Sequence, residues 1–213
     1  MSEFQFRTKL DQTILLGIKA KNAQELVDNI RTVPKSCIYH HTHRFLQQHH
    51  YLSPEPANDF AYWVTEVIND ASLGEALSSI NVIQFHSIAG LRNRLVEVIT
   101  AHLAAGGDVN DCPRGEEFHF MGSQTFSFIT PYAAHNLSDF RENLERVSVN
   151  SLYYHIFDAR LRLEKNENDF SLWFRALGKD GLADEVVRLD PYTHTLEGLR
   201  RRIIVAVKKY DTN

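Results

Sequence analysis

Three separated blocks of this chain recur, in the same order, in its second half, and that repetition limits the fold more than any other feature. Glu3-Phe4-Gln5-Phe6 matches Glu117-Phe118-His119-Phe120, and at the same offset Ala20, Asn22, Asn29 and Val33 meet Ala134, Asn136, Asn143 and Val147. With one inserted residue, Ser36-Cys37-Ile38-Tyr39-His40 aligns with Ser151-Leu152-Tyr153-Tyr154-His155. After a deletion, Asn58-Asp59-Phe60 and Trp63 meet Asn168-Asp169-Phe170 and Trp173, and the run from His86 to Arg94 meets that from His194 to Arg202. Chance similarity does not keep order, so the chain reads as a tandem duplication. Repeat one covers 1–104, a turn-rich linker with Gly106-Gly107 and Pro113 covers 105–115, and repeat two covers 116–213, the two packed as one globular unit.

The periodicities give an α+β, helix-dominated fold: a tandem pseudo-two-fold repeat, each copy a short β-hairpin followed by four to five helices. Alternating aromatics at Phe4 and Phe6, or Phe118 and Phe120, have strand period. Phe126 and Phe128, with a weaker Ile14-Leu15-Leu16 counterpart, supply the second hairpin arm. Asn22 and Asn136 precede helix-period runs and carry a carboxylate three residues on, the pattern of an N-cap. Asn58 and Asn168 cap a third helix whose apolar stripe starts at Phe60 or Phe170, with Asp59 or Asp169 suiting the first turn.

At 213 residues and 43% hydrophobic, the chain can bury a core without disulfide or metal staples. A net charge of -4 and a pI near 6.2 argue against nucleic acid as a partner, since nonspecific phosphate binding needs a basic excess. The apolar run Ile203–Val207 is too short to span a bilayer, and Met1-Ser2-Glu3-Phe4 resembles no secretory leader, so no membrane is expected and the protein reads as cytoplasmic. Cys37 and Cys112 stand alone and imply neither a disulfide framework nor a thiolate metal knuckle.

The second helix carries the best chemical candidates. Ser36, His40, His43 and Gln47 share a stripe, and copy two repeats it as Ser151, His155, Asp158 and Arg162. His40 with His43, and His155 with Asp158, are pairs able to ligate a divalent metal; the plainer reading makes them polar-face residues hydrogen-bonded to neighbours. Asp59 and Asp169 have a ready structural role as dipole partners, against a paired-carboxylate reading. Arg92 and Arg200, with His86 and His194 before the last helix, suit an anion, against ion-pair scaffolding. No phosphate loop, nucleophile elbow or His-Glu-x-x-His motif is present.

In the run Ser151–Leu163, in Asn168-Asp169-Phe170-Ser171 with Trp173, and in Leu189-Asp190-Pro191-Tyr192-Thr193-His194 through Arg200, the chain resembles an uncharacterised prokaryotic family catalogued only as a domain of unknown function. The resemblance covers nearly the whole chain and brings no functional residues with it. It implies association with a carbohydrate-metabolism enzyme. Together the readings point to a non-catalytic accessory protein with a cleft between the repeats for a small polar or anionic molecule or a protein partner, lined by Tyr39, His40, Tyr154, His155, His86, His194, Arg92 and Arg200. The alternatives are a metal-binding protein or metal-dependent enzyme using His40, His43, His155 and Asp158, and an interaction scaffold with no pocket.

Overall fold

The computed structural model describes residues 3–44, 58–107, 109–189 and 195–211. Two long strands run through a helix-rich chain: β1 (Phe4–Ala20) and β2 (Phe118–Ala134), each of 17 residues, which pair with one another in a two-stranded antiparallel sheet. Between them lie α1 (Ala23–Thr32), α2 (Lys35–Tyr39) continuing as a π-helical turn over His40–Arg44, α3 (Asp59–Trp63) continuing as another over Val64–Ile68, α4 (Ala71–Ser78) and α5 (Ile88–Ala104). After β2 come α6 (Leu137–Arg146), α7 (Val149–Tyr153), a π-helical turn over Tyr154–Asp158, α8 (Ala159–Leu163), α9 (Asp169–Ala176), α10 (Asp180–Val187) and α11 (Leu196–Asp211).

The expected hairpin in each copy is not formed. Among the described residues there are two strands, β1 and β2, and each pairs with the other across the chain instead of folding back on itself. The reason is visible in Met121-Gly122-Ser123-Gln124-Thr125, which lacks the paired left-handed residues of a two-residue hairpin turn, so the extended chain continues. In β1, Gly17 has φ +72°, a left-handed conformation that favours glycine, but it does not reverse the chain.

The chain divides into two compact units that cut each strand: residues 1–10 with 125–213, and residues 11–124. In the second of these, α1 lies against α5 and α3 against α4, around a core of Leu26, Ile30, Phe60, Leu73, Leu77, Leu91, Leu95 and Ile99, completed by Phe118 and Phe120 of β2. In the first, α6 lies against α11 and α9 against α10, and the aromatic centre is Phe140, Phe170 and Trp173 closed by Phe4 and Phe6 of β1. The Phe4 and Phe6 rings meet edge-on at 4.9 Å, as do those of Phe118 and Phe120. Each helical set is therefore sealed by a Phe-x-Phe pair from one of the two strands.

The helix starts follow the capping chemistry. Asn22, Asn58, Asn136 and Asn168 sit in extended backbone and accept the amide hydrogens of Glu25, Ala61, Asp139 and Ser171. Among the described residues no helix is long and apolar enough to cross a membrane.

Candidate functional site

Asn58 and Asn168 set α3 and α9 so that the carboxylate of the next residue meets a buried histidine. In the unit of residues 11–124, His41 donates from Nδ1 to Asp59 Oδ2 at 2.7 Å, which leaves Nε2 to accept the main-chain N–H of Met121 at 2.9 Å. In the other unit, His155 donates from Nδ1 to Asp169 Oδ2 at 2.7 Å and its Nε2 accepts the main-chain N–H of Arg7 at 2.8 Å. The imidazoles pack on matching aromatic rings, His41 against Phe60 and Phe118, His155 against Phe170 and Phe4. A carboxylate on one nitrogen fixes the tautomer, and a backbone amide fills the other. Each histidine is thus a bolt between a helix and a strand, with no nitrogen left for a ligand or proton transfer.

Electrostatics agree with that role. Burial pushes the His155 pKa down against the pull of Asp169. Burial pushes Asp169 up, but hydrogen bonds from His155 and from Arg162 at 2.7 Å, with the Arg162 charge, hold it below the usual carboxylate value.

By partner, His155 is the counterpart of His41 and not of His40, and the two lie as far apart in sequence as Phe4 and Phe118. The π-helical turns Tyr154–Asp158 and His40–Arg44 fall at that spacing too.

At the spacing that separates His41 from His155, His40 falls with Tyr154, Arg44 with Asp158 and Lys9 with Ser123, and the two units differ chemically at these places. Lys9 and Asp158 form an ion pair at 2.7 Å, the Lys9 side chain wholly buried, its ammonium 4.8 Å from the centre of the Tyr153 ring. In the other unit the same places hold a polar cluster. His40 Nδ1 lies 2.9 Å from Ser123 Oγ, and Arg44 Nη1 donates to that oxygen at 3.3 Å. A guanidinium only donates, so Ser123 Oγ accepts from Arg44, and the direction of its bond with His40 Nδ1 follows the imidazole tautomer. His40 and Ser123 are each 7% exposed. Burial first, then the charges of His41 and Arg44, push the His40 pKa down to about 4, against a weaker opposite pull from Asp59 and Asp11. Among the described residues Arg44 meets no carboxylate. The backbone comes close beside the cluster: a Cβ at Gly122 would stand 3.3 Å from Ser36 Oγ, the first residue of the predicted stripe.

The other predicted positions are committed elsewhere. His43 is buried, its ring stacked at 5.7 Å on Tyr39 and its Nδ1 3.2 Å from Thr42 Oγ1. Tyr154 is covered by the Arg162 guanidinium at 4.3 Å. Arg92 donates to the Val33 carbonyl, and Arg200 Nη1 to those of Leu144, Glu145 and Val147, so both arginines close the C-terminal ends of α1 and α6. His86 is half-buried with Nδ1 unpartnered, and the N-terminus of α5 beside it is closed by Ser87, which accepts from the Gly90 amide. His194 lies outside the described residues. Among the described residues no group of three or more His, Cys, Asp or Glu side chains is placed to hold a metal ion.

Comparison with known proteins adds a family and a fold. The model of a family of unknown function (DUF5752) matches residues 1–208. No curated protein matches the chain. Among solved structures the chain is similar to OrfY from Thermoproteus tenax, with 27% sequence identity and a TM-score of 0.85 over 100% of this chain and 97% of that one.

Proposed function

The chain belongs to the family of unknown function DUF5752, and we propose that it is a non-catalytic ligand-binding accessory protein whose unit of residues 11–124 takes a small anion at Ser123, His40 and Arg44. One observation carries the reading. Arg44 faces a hydroxyl and a neutral imidazole, whereas the corresponding charge in the other unit, Asp158, is neutralised by Lys9. A half-buried cation with no carboxylate within hydrogen-bonding reach among the described residues is suited to an anion from solution. The matched caps and bolts support descent of both units from one duplicated ancestor, in which one unit closed this place with an ion pair and the other left it open.

Binding fits the cluster better than catalysis. Ser123 and His40 are within hydrogen-bonding reach, the geometry of a nucleophile and its base, but a base that takes a proton only near pH 4 gives little driving force for removing one from a serine at neutrality. The test is thermal denaturation of the full chain with sulfate, phosphate and small carboxylates, beside Arg44→Met. Stabilisation of the parent protein by at least one anion, lost in Arg44→Met, is the expected result. No anion raising the Tm of the parent, or an undiminished rise in the variant, overturns the reading.

A further inference from the structure

We propose a second ligand site, in the unit of residues 1–10 with 125–213: the groove between α10 and α11 takes a short aliphatic carboxylate. It shares no residue with the anion site at Ser123, His40 and Arg44 and stands or falls separately. The two helices run antiparallel, since Lys179, just before α10, donates to the Tyr210 carbonyl near the end of α11 at 3.0 Å, and Glu185 pairs with Lys209 at 3.4 Å. Along that seam lies an open groove of about 250 Å³, lined by Glu185, Leu189, Arg201, Arg202, Val205 and Ala206. Residues four apart stand above one another on a helix, so Arg201 with Val205 and Arg202 with Ala206 make two adjoining rows of α11. Each row begins in a guanidinium and ends in an aliphatic side chain. Leu189, turned back onto the Val186 carbonyl after α10, forms the facing wall. One isolated exposed aliphatic side chain is ordinary. Val205, 67% exposed, instead shares its concavity with Leu189 and Ala206.

The cations decide the head group. Neighbouring ones are paired: Arg200 with Glu197 at 3.1 Å, Lys209 with Glu185, and Arg175 with Glu167 at 3.1 Å. Arg201 donates Nε to the Glu197 carbonyl at 3.4 Å, and among the described residues neither Arg201 nor Arg202 meets a carboxylate. Glu185, the acidic member of the lining, is held by Lys209, which lies further along α11 and away from the two arginines. The groove is thus positive at one end and apolar along its length. A guanidinium fork matches the two coplanar oxygens of a carboxylate. Leu189, Val205 and Ala206 then meet a hydrocarbon tail and offer no side-chain hydrogen bond to anything polar. The volume falls below the roughly 300–1,000 Å³ of pockets that take drug-sized ligands, so the tail is short. A stable protein partner would cover about 800 Å² on each side, and a groove of this size is matched to a small molecule instead.

The experiment is a titration of the full chain at pH 7, followed by amide proton–nitrogen correlation spectra. The arms are acetate, butyrate and hexanoate, with hexanol and hexylamine as the uncharged and cationic counterparts. Expected are saturable shifts at Leu189, Arg202, Val205 and Ala206, with affinity rising about two- to fourfold for each methylene added between butyrate and hexanoate. Hexanol and hexylamine are expected to leave these residues unsaturated. Arg201→Gln with Arg202→Gln should weaken hexanoate about tenfold or more. Val205→Ser should flatten the dependence on chain length while leaving acetate unchanged. All three positions are exposed, and circular dichroism checks that the variants fold. Arg44→Met should leave the hexanoate titration as it is; loss of these shifts in that variant would assign the binding to the anion site and overturn the inference. Affinity independent of chain length, hexanol or hexylamine binding as well as hexanoate, or no shift at the groove residues overturns it too. Saturation by a short peptide with neighbouring acidic and aliphatic side chains, where every alkyl carboxylate fails, would give the groove to a protein partner and equally overturn it.

Discussion

Nε2 of His155 accepts the main-chain N–H of Arg7 at 2.8 Å, so the histidine grips the strand through its backbone and the Arg7 side chain takes no part in the grip. His155→Phe keeps much of the volume and the packing on Phe170 but leaves the Arg7 amide and the Asp169 carboxylate without this partner. Each unpaired buried polar group costs about 1–3 kcal/mol. A loss of about 2–4 kcal/mol in urea unfolding is expected, with the same for His41→Phe, which strands the Met121 amide and Asp59. Equal stability in both variants removes the bolt argument.

The caps, the order of the helices and the aromatic openings were legible in the sequence because each is a local device: Asn22, Asn58, Asn136 and Asn168 do in the fold what their spacing predicts. Two things were not. Alternation at Phe118, Phe120, Phe126 and Phe128 reports extended backbone but says nothing of which segment pairs with which, so a local hairpin and a pairing between copies look alike. The stripe through His40 and His43 assumes 3.6 residues per turn, while the chain over His40–Arg44 is π-helical and shifts the faces by about a residue. Aligning Ser36 with Ser151 set His155 beside His40 instead of His41, and no helical stripe could show Ser123 and Lys9, which join the helices only through the strands.

The Lys9–Asp158 pair should be costly to halve and cheap to remove whole. Lys9→Met leaves a carboxylate with little solvent contact, and breaking such a pair costs about 3–5 kcal/mol. Lys9→Met with Asp158→Leu replaces both charges by apolar groups and is expected to recover most of that loss. A double-mutant cycle by chemical denaturation measures the coupling, and strict additivity of the single losses would mean the pair contributes nothing as a pair.

The two thiols should differ in reactivity. Cys37 is fully buried and burial pushes its pKa up to about 12, so almost no thiolate exists at pH 8. Cys112 is half-buried and raised by burial and by Glu117. A disulfide reagent at pH 8 is expected to titrate one thiol in the native protein and the second only on unfolding, with Cys112→Ser removing the native signal. Two native equivalents reacting at equal rates would show that the α2 core opens readily.

Stability should fall as pH is lowered from about 6.5 to about 4. His40 titrates near 4 in the folded chain and near 6.5 when unfolded, so in that window the unfolded chain binds more protons and acid favours it. His155, lowered by burial, works in the same direction. Asp169, held low, adds stability that is present above its unfolded pKa and is lost only below this window, as pH falls through the folded one. His40→Gln is expected to reduce the slope of Tm against pH between 6.5 and 4, and an unchanged slope would clear His40 of the effect.

The sharpest comparison makes one unit imitate the other. Lys9, Tyr154 and Asp158 occupy the places of Ser123, His40 and Arg44, and the bolts formed by His155 and His41 show that the backbone around them is held alike in the two units. Replacing Lys9→Ser, Tyr154→His and Asp158→Arg together removes a buried ion pair and installs the polar cluster, at a stability cost from filling close-packed positions with new shapes. Sulfate titration of the triple variant at pH 5.5, after circular dichroism has shown it folded, should give two ions per chain where the parent gives one. Adding Arg44→Met to the triple variant should return the count to one, the remaining site being the new one. A folded triple variant that still binds a single ion would mean that these three side chains are not sufficient for the site, and that another feature of the unit of residues 11–124 makes it a receptor.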